Sequence, residues 1–182
     1  MKPYKFFWET HKWVGIGSSL LVLLISITGF LLLVKKDHAW IQPPTRWEAE
    51  AARSGPYITF DRLYEILFAL DRPDLQSEKD IDRIDFRPKQ KVFKVRLKSD
   101  FQEVQVGAVT GTVFSQEKRW SDWIEGVHDG SMLGGWAHVW LMPAFAVCLF
   151  FLMASGLYLW SGPLLKRARK RRARSKSRGR RP

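Results

Sequence analysis

Residues 139–160 hold no Asp, Glu, Lys or Arg, and Leu, Phe, Val and Met dominate them. At ~1.5 Å per residue a helix of that length crosses a ~30 Å hydrocarbon layer, and a soluble core helix seldom stays uncharged for so long. Trp136, Trp140, Tyr158 and Trp160 stand at the two ends of the run. There an amphipathic ring keeps its body in lipid and its N–H or O–H among the headgroups. Residues 14–34 form a second run without charge. It is longer than the ~7–15-residue apolar core of a cleaved signal peptide and no small-residue cleavage site closes it, so it reads as a retained anchor. Two spans, 14–34 and 132–160, therefore divide the chain into a segment 1–13, an intervening region 35–131 and a tail 161–182.

Charge orients these pieces. The formal net charge is +12, and eleven basic residues lie between Lys166 and Arg181 with no acid among them. A cluster of this kind can bind nucleic acid, but next to a membrane span the positive-inside rule predicts it, and attraction to anionic lipid adds ~1 kcal/mol per basic residue near the surface. The expected partner is thus the lipid membrane and not nucleic acid. Lys2, Lys5 and Lys12 precede the first run; Lys35 and Lys36 pull weakly the other way. Both termini are expected in the cytoplasm, with 35–131 outside, in a bacterial periplasm. The tail shows no apolar periodicity and is expected to be disordered beyond Leu165.

Small and hydroxylated residues recur in both runs: Gly15, Ser18, Ser19, Ser26, Thr28 and Gly29 in the first, Ala144, Cys148, Ser155 and Gly156 in the second. Such residues let helix backbones approach closely. A lone hairpin rarely makes a stable membrane unit, so a second copy in a homodimer or an additional membrane subunit is expected.

The region between the spans begins with Ile41-Gln-Pro-Pro-Thr45, whose prolines break any continuation of the first helix. Phe60, Leu63, Leu67 and Leu70 then recur at helical spacing, predicting a helix over 59–70 capped by Thr59 or Asp61. Alternation predicts strands over 81–86, 92–97 and 101–106, with Phe93, Val95 and Leu97 on one face and charges on a solvated other face. Residues 109–114 supply a turn and a short last strand, and 116–127 a helix returning to the membrane. The fold class is a membrane protein of α+β type: two transmembrane helices flanking a small extracytoplasmic domain of helix, antiparallel strands and helix. The domain has no histidine and no catalytic constellation, and reads as a binding or docking module.

Cys148 is the single cysteine, which excludes an intrachain disulfide and Cys-based zinc or iron–sulfur sites. No nucleotide-binding glycine loop, HExxH or EF-hand pattern is present. What remains are four histidines, His11, His38, His128 and His138, all at a membrane boundary or inside a span. Intramembrane ionisable residues are functional candidates by default, although each of these can equally be a histidine hydrogen-bonded to a neighbouring helix. Together they favour haem, whose iron takes axial imidazoles from opposite faces. His11 and His38 are separated by ~40 Å of helix, and His128 and His138 by ~15 Å, so neither pair can share an iron. The feasible outer pairs are His38 with His138 and His38 with His128. His138 shares its helix face with Met142, Phe145, Leu149 and Gly156, an apolar wall with a gap at the glycine that would suit a flat macrocycle and that a packing face would match equally. His11 has no second histidine at its depth and needs one from another subunit. Copper or zinc could use His38, His128 and His138, but only Asp37 and Asp129 lie beside them to complete a site; the expected metal is haem iron alone.

At these residues the chain resembles the PepSY-associated transmembrane family of bacteria, which includes iron-regulated membrane proteins and ferric-siderophore reductases. The opening stretch His11-Lys-Trp-Val-Gly15 with Thr28-Gly29 carries the likeness. So do Val104-Gln-Val-Gly-Ala-Val-Thr-Gly-Thr-Val113, similar to the last strands of a PepSY domain, and Val127-His-Asp-Gly130 with Ser155-Gly-Leu-Tyr-Leu-Trp160. The likeness covers most of the chain before the tail. It implies a b-type haem protein of the bacterial inner membrane, an oxidoreductase component passing electrons to a periplasmic redox acceptor docked on a PepSY-like domain. It also implies His11 and His128 as haem-ligand candidates. Two spans stand where larger members have about four, and Gly107 where the domain often has Asp. The competing reading is a non-redox, membrane-tethered PepSY module that binds or inhibits a partner or helps assemble a larger complex.

Overall fold

The computed structural model describes residues 3–178. It divides into two units, residues 1–26 with 129–182 and residues 27–128. Helix α1 (Pro3–Leu33) contributes to both.

In the first unit α1 lies against α4 (Met142–Arg178). Gly15 faces Leu152, His11 faces Gly156, and Tyr4 faces Gly162, so numbers rise along one helix as they fall along the other: the pair is antiparallel. Tyr158 packs its ring on Phe7 and Tyr4, with centroids 5.1 and 6.4 Å apart. Away from these contacts Leu20, Leu23, Val147, Phe150 and Met153 stand exposed. Apolar side chains all round a helix are what a lipid-facing span presents. Among the described residues, the stretches long and apolar enough to span are Pro3–Leu33 and Ala137–Ala168. α4 runs through Pro163 to Arg178, so the tail is helical where disorder was expected; Arg, Lys, Ala and Leu are good helix formers, and their propensity outweighs the like-charge repulsion. Residues 179–182 of that tail lie outside the described residues.

The second unit holds the last turns of α1, α2 (Phe60–Phe68), strands β1 (Ile81–Arg87), β2 (Val92–Leu97), β3 (Gln102–Gly107) and β4 (Val113–Lys118), and α3 (Trp120–His128). The Thr59 side chain accepts from the Arg62 N–H and caps α2. The strands form one antiparallel meander in the order β1-β2-β3-β4. Its register sets Phe93 opposite Val106 and Val95 opposite Val104. With Leu97 these side chains meet Leu63 and Leu67 of α2 and make the core. β4 reaches Lys118, through residues expected to start the returning helix. Its ladder, from Val106↔Val113 to Gln102↔Lys118, holds that stretch extended until Trp120.

The other sheet face departs from expectation. It is not solvated: Lys94, Glu103 and Gln105 are each at most 1% exposed, and Arg119 is 4% exposed. The proline-containing segment crosses this face and is fastened to it. Arg46 N–H donates to Gln105 Oε1, Gln105 Nε2 donates to the Pro44 carbonyl, and Ser121 N–H donates to the Ile41 carbonyl. Alternating charges imitate a solvent face in sequence. Here they compensate across strands, which allows the face to be covered: Glu103 pairs with Lys94 at 3.0 Å and Arg119 at 2.8 Å, and Arg96 with Asp85 at 3.2 Å.

Glu48, at the end of that segment, closes the β3–β4 turn. Its carboxylate accepts from the N–H groups of Val109 and Thr110 at 3.0 and 3.1 Å and from the Thr110 hydroxyl at 2.9 Å. Burial opposes the charge of Glu48, but those hydrogen bonds prevail and hold its pKa below the ordinary value. A Cβ at Gly107 would sit 2.5 Å from the same carboxylate, so the turn's acid is supplied by Glu48 and glycine is the residue that leaves room for it.

Candidate functional site

Each unit places one histidine of the candidate set against a hydroxyl and a glycine. In the first unit His11, on the third turn of α1, sets Nδ1 2.8 Å from Ser155 Oγ of α4. The Ser155 hydroxyl donates its one proton back along its own helix, to the Phe151 carbonyl at 2.7 Å. With that proton on Phe151 the Ser155 oxygen accepts from His11, and in the tautomer that then carries its proton on Nδ1 the lone pair lies on Nε2. The ring's Cε1 lies 3.3 Å from where Gly156 would carry a Cβ.

In the second unit His128, the last residue of α3, sets Nδ1 2.9 Å from Thr28 Oγ1. Its Cε1 lies 3.2 Å from the Cβ position of Gly29. Both rings are half-buried, and both are oriented through the nitrogen that a ligating imidazole commonly gives to its supporting partner. The proximity of Thr28 to His128 also explains why a threonine stands buried, 5% exposed, near the end of an apolar helix.

The other two histidines are placed differently. His38 is exposed in the turn that follows α1, where its carbonyl accepts from Ile41 and Gln42 N–H. His138 is exposed, with Nδ1 3.1 Å from the Asp129 carbonyl and 3.7 Å from its carboxylate. It sits in a π-helical turn, Ala137–Leu141, that precedes α4. The wider winding rotates His138 off the stripe of Phe145 and Leu149 that straight α-helical spacing assigns it. No group of three or more His, Cys, Asp and Glu that could hold a metal ion occurs among the described residues.

Ser155 and Thr28 were legible from sequence only as small packing residues. The signal that marks them is a hydroxyl residue followed directly by glycine, which occurs once in each apolar run, as Thr28-Gly29 and Ser155-Gly156.

An antiparallel sheet with helices, tethered by apolar helices at its two ends, defines a membrane-anchored α+β protein. The chain matches the family described as PepSY-associated TM region over residues 8–181, nearly its whole length, and belongs to that family as a short, two-span member. Among proteins of curated function, none matches it in sequence.

Proposed function

We propose that this chain is a b-type haem protein of the bacterial inner membrane, with both termini in the cytoplasm. In this reading it passes electrons to a periplasmic acceptor that its sheet domain docks. The observation that carries the reading is the 2.8 Å contact of His11 Nδ1 with Ser155 Oγ, which orients the ring and, in the tautomer protonated on Nδ1, leaves Nε2 as a ligand-competent lone pair. His128 repeats the arrangement with Thr28. His11 and His128 would each offer haem a single imidazole. Haem bound there would supply a one-electron iron couple. The chain's own residues do the rest. Ser155 and Thr28 orient the rings, Gly156 and Gly29 leave space beside them, and the apolar helices exclude water. His11 and His128 are the first-choice ligands, while His38 and His138 are candidates on depth and spacing. The neighbours of His11 are a hydroxyl and a glycine, so a second ligand to an iron held by His11 would come from a second copy of the chain or a further membrane subunit.

The test is the reduced-minus-oxidised visible spectrum of the detergent-purified full chain. Sharp low-spin b-type bands are expected, diminished in both His11→Ala and His128→Ala while membrane insertion is unchanged. A spectrum without haem bands, after expression with haem available, overturns the reading and leaves the tethered docking or assembly module. Full haem in both variants overturns the ligand assignment.

A further inference from the structure

A pocket of about 390 Å³ opens in the second unit where the segment after α1 meets the ends of β1 and β2. Its charged lining is wholly basic: Lys36, Arg87 and Lys94, together with the amides of Gln42 and Gln90. Lys94 is already compensated by Glu103 at 3.0 Å, whereas Lys36 and Arg87 form no ion pair among the described residues. Two uncompensated cations thus share one concavity with a buried third. Lys36 and Arg87 are exposed, so both can reach an anion that enters from solvent, and an anion between them would relieve their mutual repulsion.

The walls are fixed in advance. Pro44 is held by its carbonyl to Gln105, Arg46 by its N–H to the same side chain, and the Glu48 N–H donates to the Gln90 carbonyl. Gln42 Oε1 is buried without a hydrogen-bond partner. Lys36 lies three residues past Leu33, the last residue of the first apolar helix, which is where a spanning chain meets phosphate-bearing headgroups. We infer that this pocket binds a phosphate group through Lys36 and Arg87, with Lys94, paired to Glu103, as the third cation of its lining. An anionic phospholipid headgroup and free inorganic phosphate present the same chemistry.

The experiment uses the full chain in neutral detergent, titrated separately with phosphatidylglycerol and with inorganic phosphate, binding being read as retained adducts by native mass spectrometry. Saturable binding of at least one is expected, weakened about fivefold by Lys36→Gln and again by Arg87→Gln, the scale of one basic residue beside an anionic headgroup. Lys35→Gln is the control: Lys35 is the adjacent residue, carries the same charge and is paired with Glu125 at 3.8 Å. It is expected to change nothing. Binding of phosphatidylglycerol alone assigns the pocket to a headgroup, and binding of phosphate alone or of both assigns it to the phosphate group itself. Saturable binding of neither, or an equal loss in Lys35→Gln, overturns the proposal. None of these variants touches a histidine, so the outcome is independent of whether haem is bound.

Discussion

The Nδ1 of His11 lies 2.8 Å from the Ser155 hydroxyl, which in turn lies 2.7 Å from the Phe151 carbonyl, so Ser155 is placed to accept from the ring while donating along its own helix. Ser155→Ala removes the acceptor, frees the ring to rotate and allows the other tautomer. Loss of an outer partner of this kind typically costs 10–100-fold in affinity for a ligated metal. Haem content of the purified Ser155→Ala protein is therefore expected to fall while the His11→Ala protein falls further. Equal spectra for wild type and Ser155→Ala would contradict the supporting role.

Gly29 and Gly156 make a matched pair of steric predictions. A methyl group at either position meets a histidine Cε1 at 3.2 or 3.3 Å, a contact relieved by a few tenths of an ångström of ring movement. Alanine is expected to be tolerated with a shifted spectrum, whereas Gly156→Val, which cannot be accommodated by so small a movement, is expected to displace the His11 ring. Spectra of the two Gly156 variants, measured with the same preparation of membranes, separate these outcomes.

The spans, the helix capped by Thr59 and the Phe93, Val95, Leu97 face are legible in the sequence because each follows a local rule: length without charge, a hydroxyl before an apolar period, strict alternation. The buried Lys94 and Glu103 are not legible, since alternation looks identical whether the polar face meets water or a crossing chain segment. Only the pairing of opposite charges across β2 and β3 distinguishes the two, and that requires the register. The same holds at the candidate site. The four histidines are visible in the sequence, but Ser155 acquires its meaning only when α4 lies antiparallel to α1 and brings it to His11. The π-helical turn at His138 leaves no mark in the spacing at all.

Acid sensitivity follows from two carboxylates. Hydrogen bonding to Arg72 holds the pKa of Asp74 below its ordinary value; at Glu48, burial raises the pKa but is overcome by the bonds from Val109 and Thr110. A carboxyl group whose folded pKa is depressed contributes stability that is complete above its unfolded pKa and is lost as pH falls through the folded one. The sheet domain is therefore expected to keep constant stability from neutrality down to about pH 5 and to weaken progressively below the ordinary carboxylate range. Glu48→Gln should flatten part of that slope and cost about 1–3 kcal/mol at neutral pH, because the turn loses an ionised acceptor. Denaturant midpoints against pH, for both proteins, check the sign and the share.

Gly107→Asp tests the origin of that acceptor. The new side chain would start 2.5 Å from the Glu48 carboxylate and 2.9 Å from the Thr110 hydroxyl, adding like charge to a crowded site. A loss of about 1–3 kcal/mol from overpacking is expected. The double variant Gly107→Asp with Glu48→Ala should recover part of it, since the introduced carboxylate then has the turn's N–H groups to itself.

The covered face of the sheet makes an asymmetric prediction. Glu103 is shared: it pairs with Lys94 at 3.0 Å and with Arg119 at 2.8 Å, and accepts from Gln105 Nε2 at 2.9 Å. Glu103→Gln keeps the shape but strips the charge that both cations depend on, and breaking a buried pair in this way typically costs about 3–5 kcal/mol. Lys94→Met is milder, because Glu103 retains Arg119 and the apolar replacement avoids the cost of burying an ammonium. Burial also pushes the Lys94 pKa down, so between that lowered value and the ordinary one the unfolded chain binds more protons. Stability of the wild type is expected to rise with pH across that alkaline window, and the rise should vanish in Lys94→Met. Hydrogen exchange of the β2 and β3 amides in the full-length protein reads all three effects at the element concerned. Equal losses in Glu103→Gln and Lys94→Met would show that the two residues act as an isolated pair, and that Arg119 has no part in holding the charge.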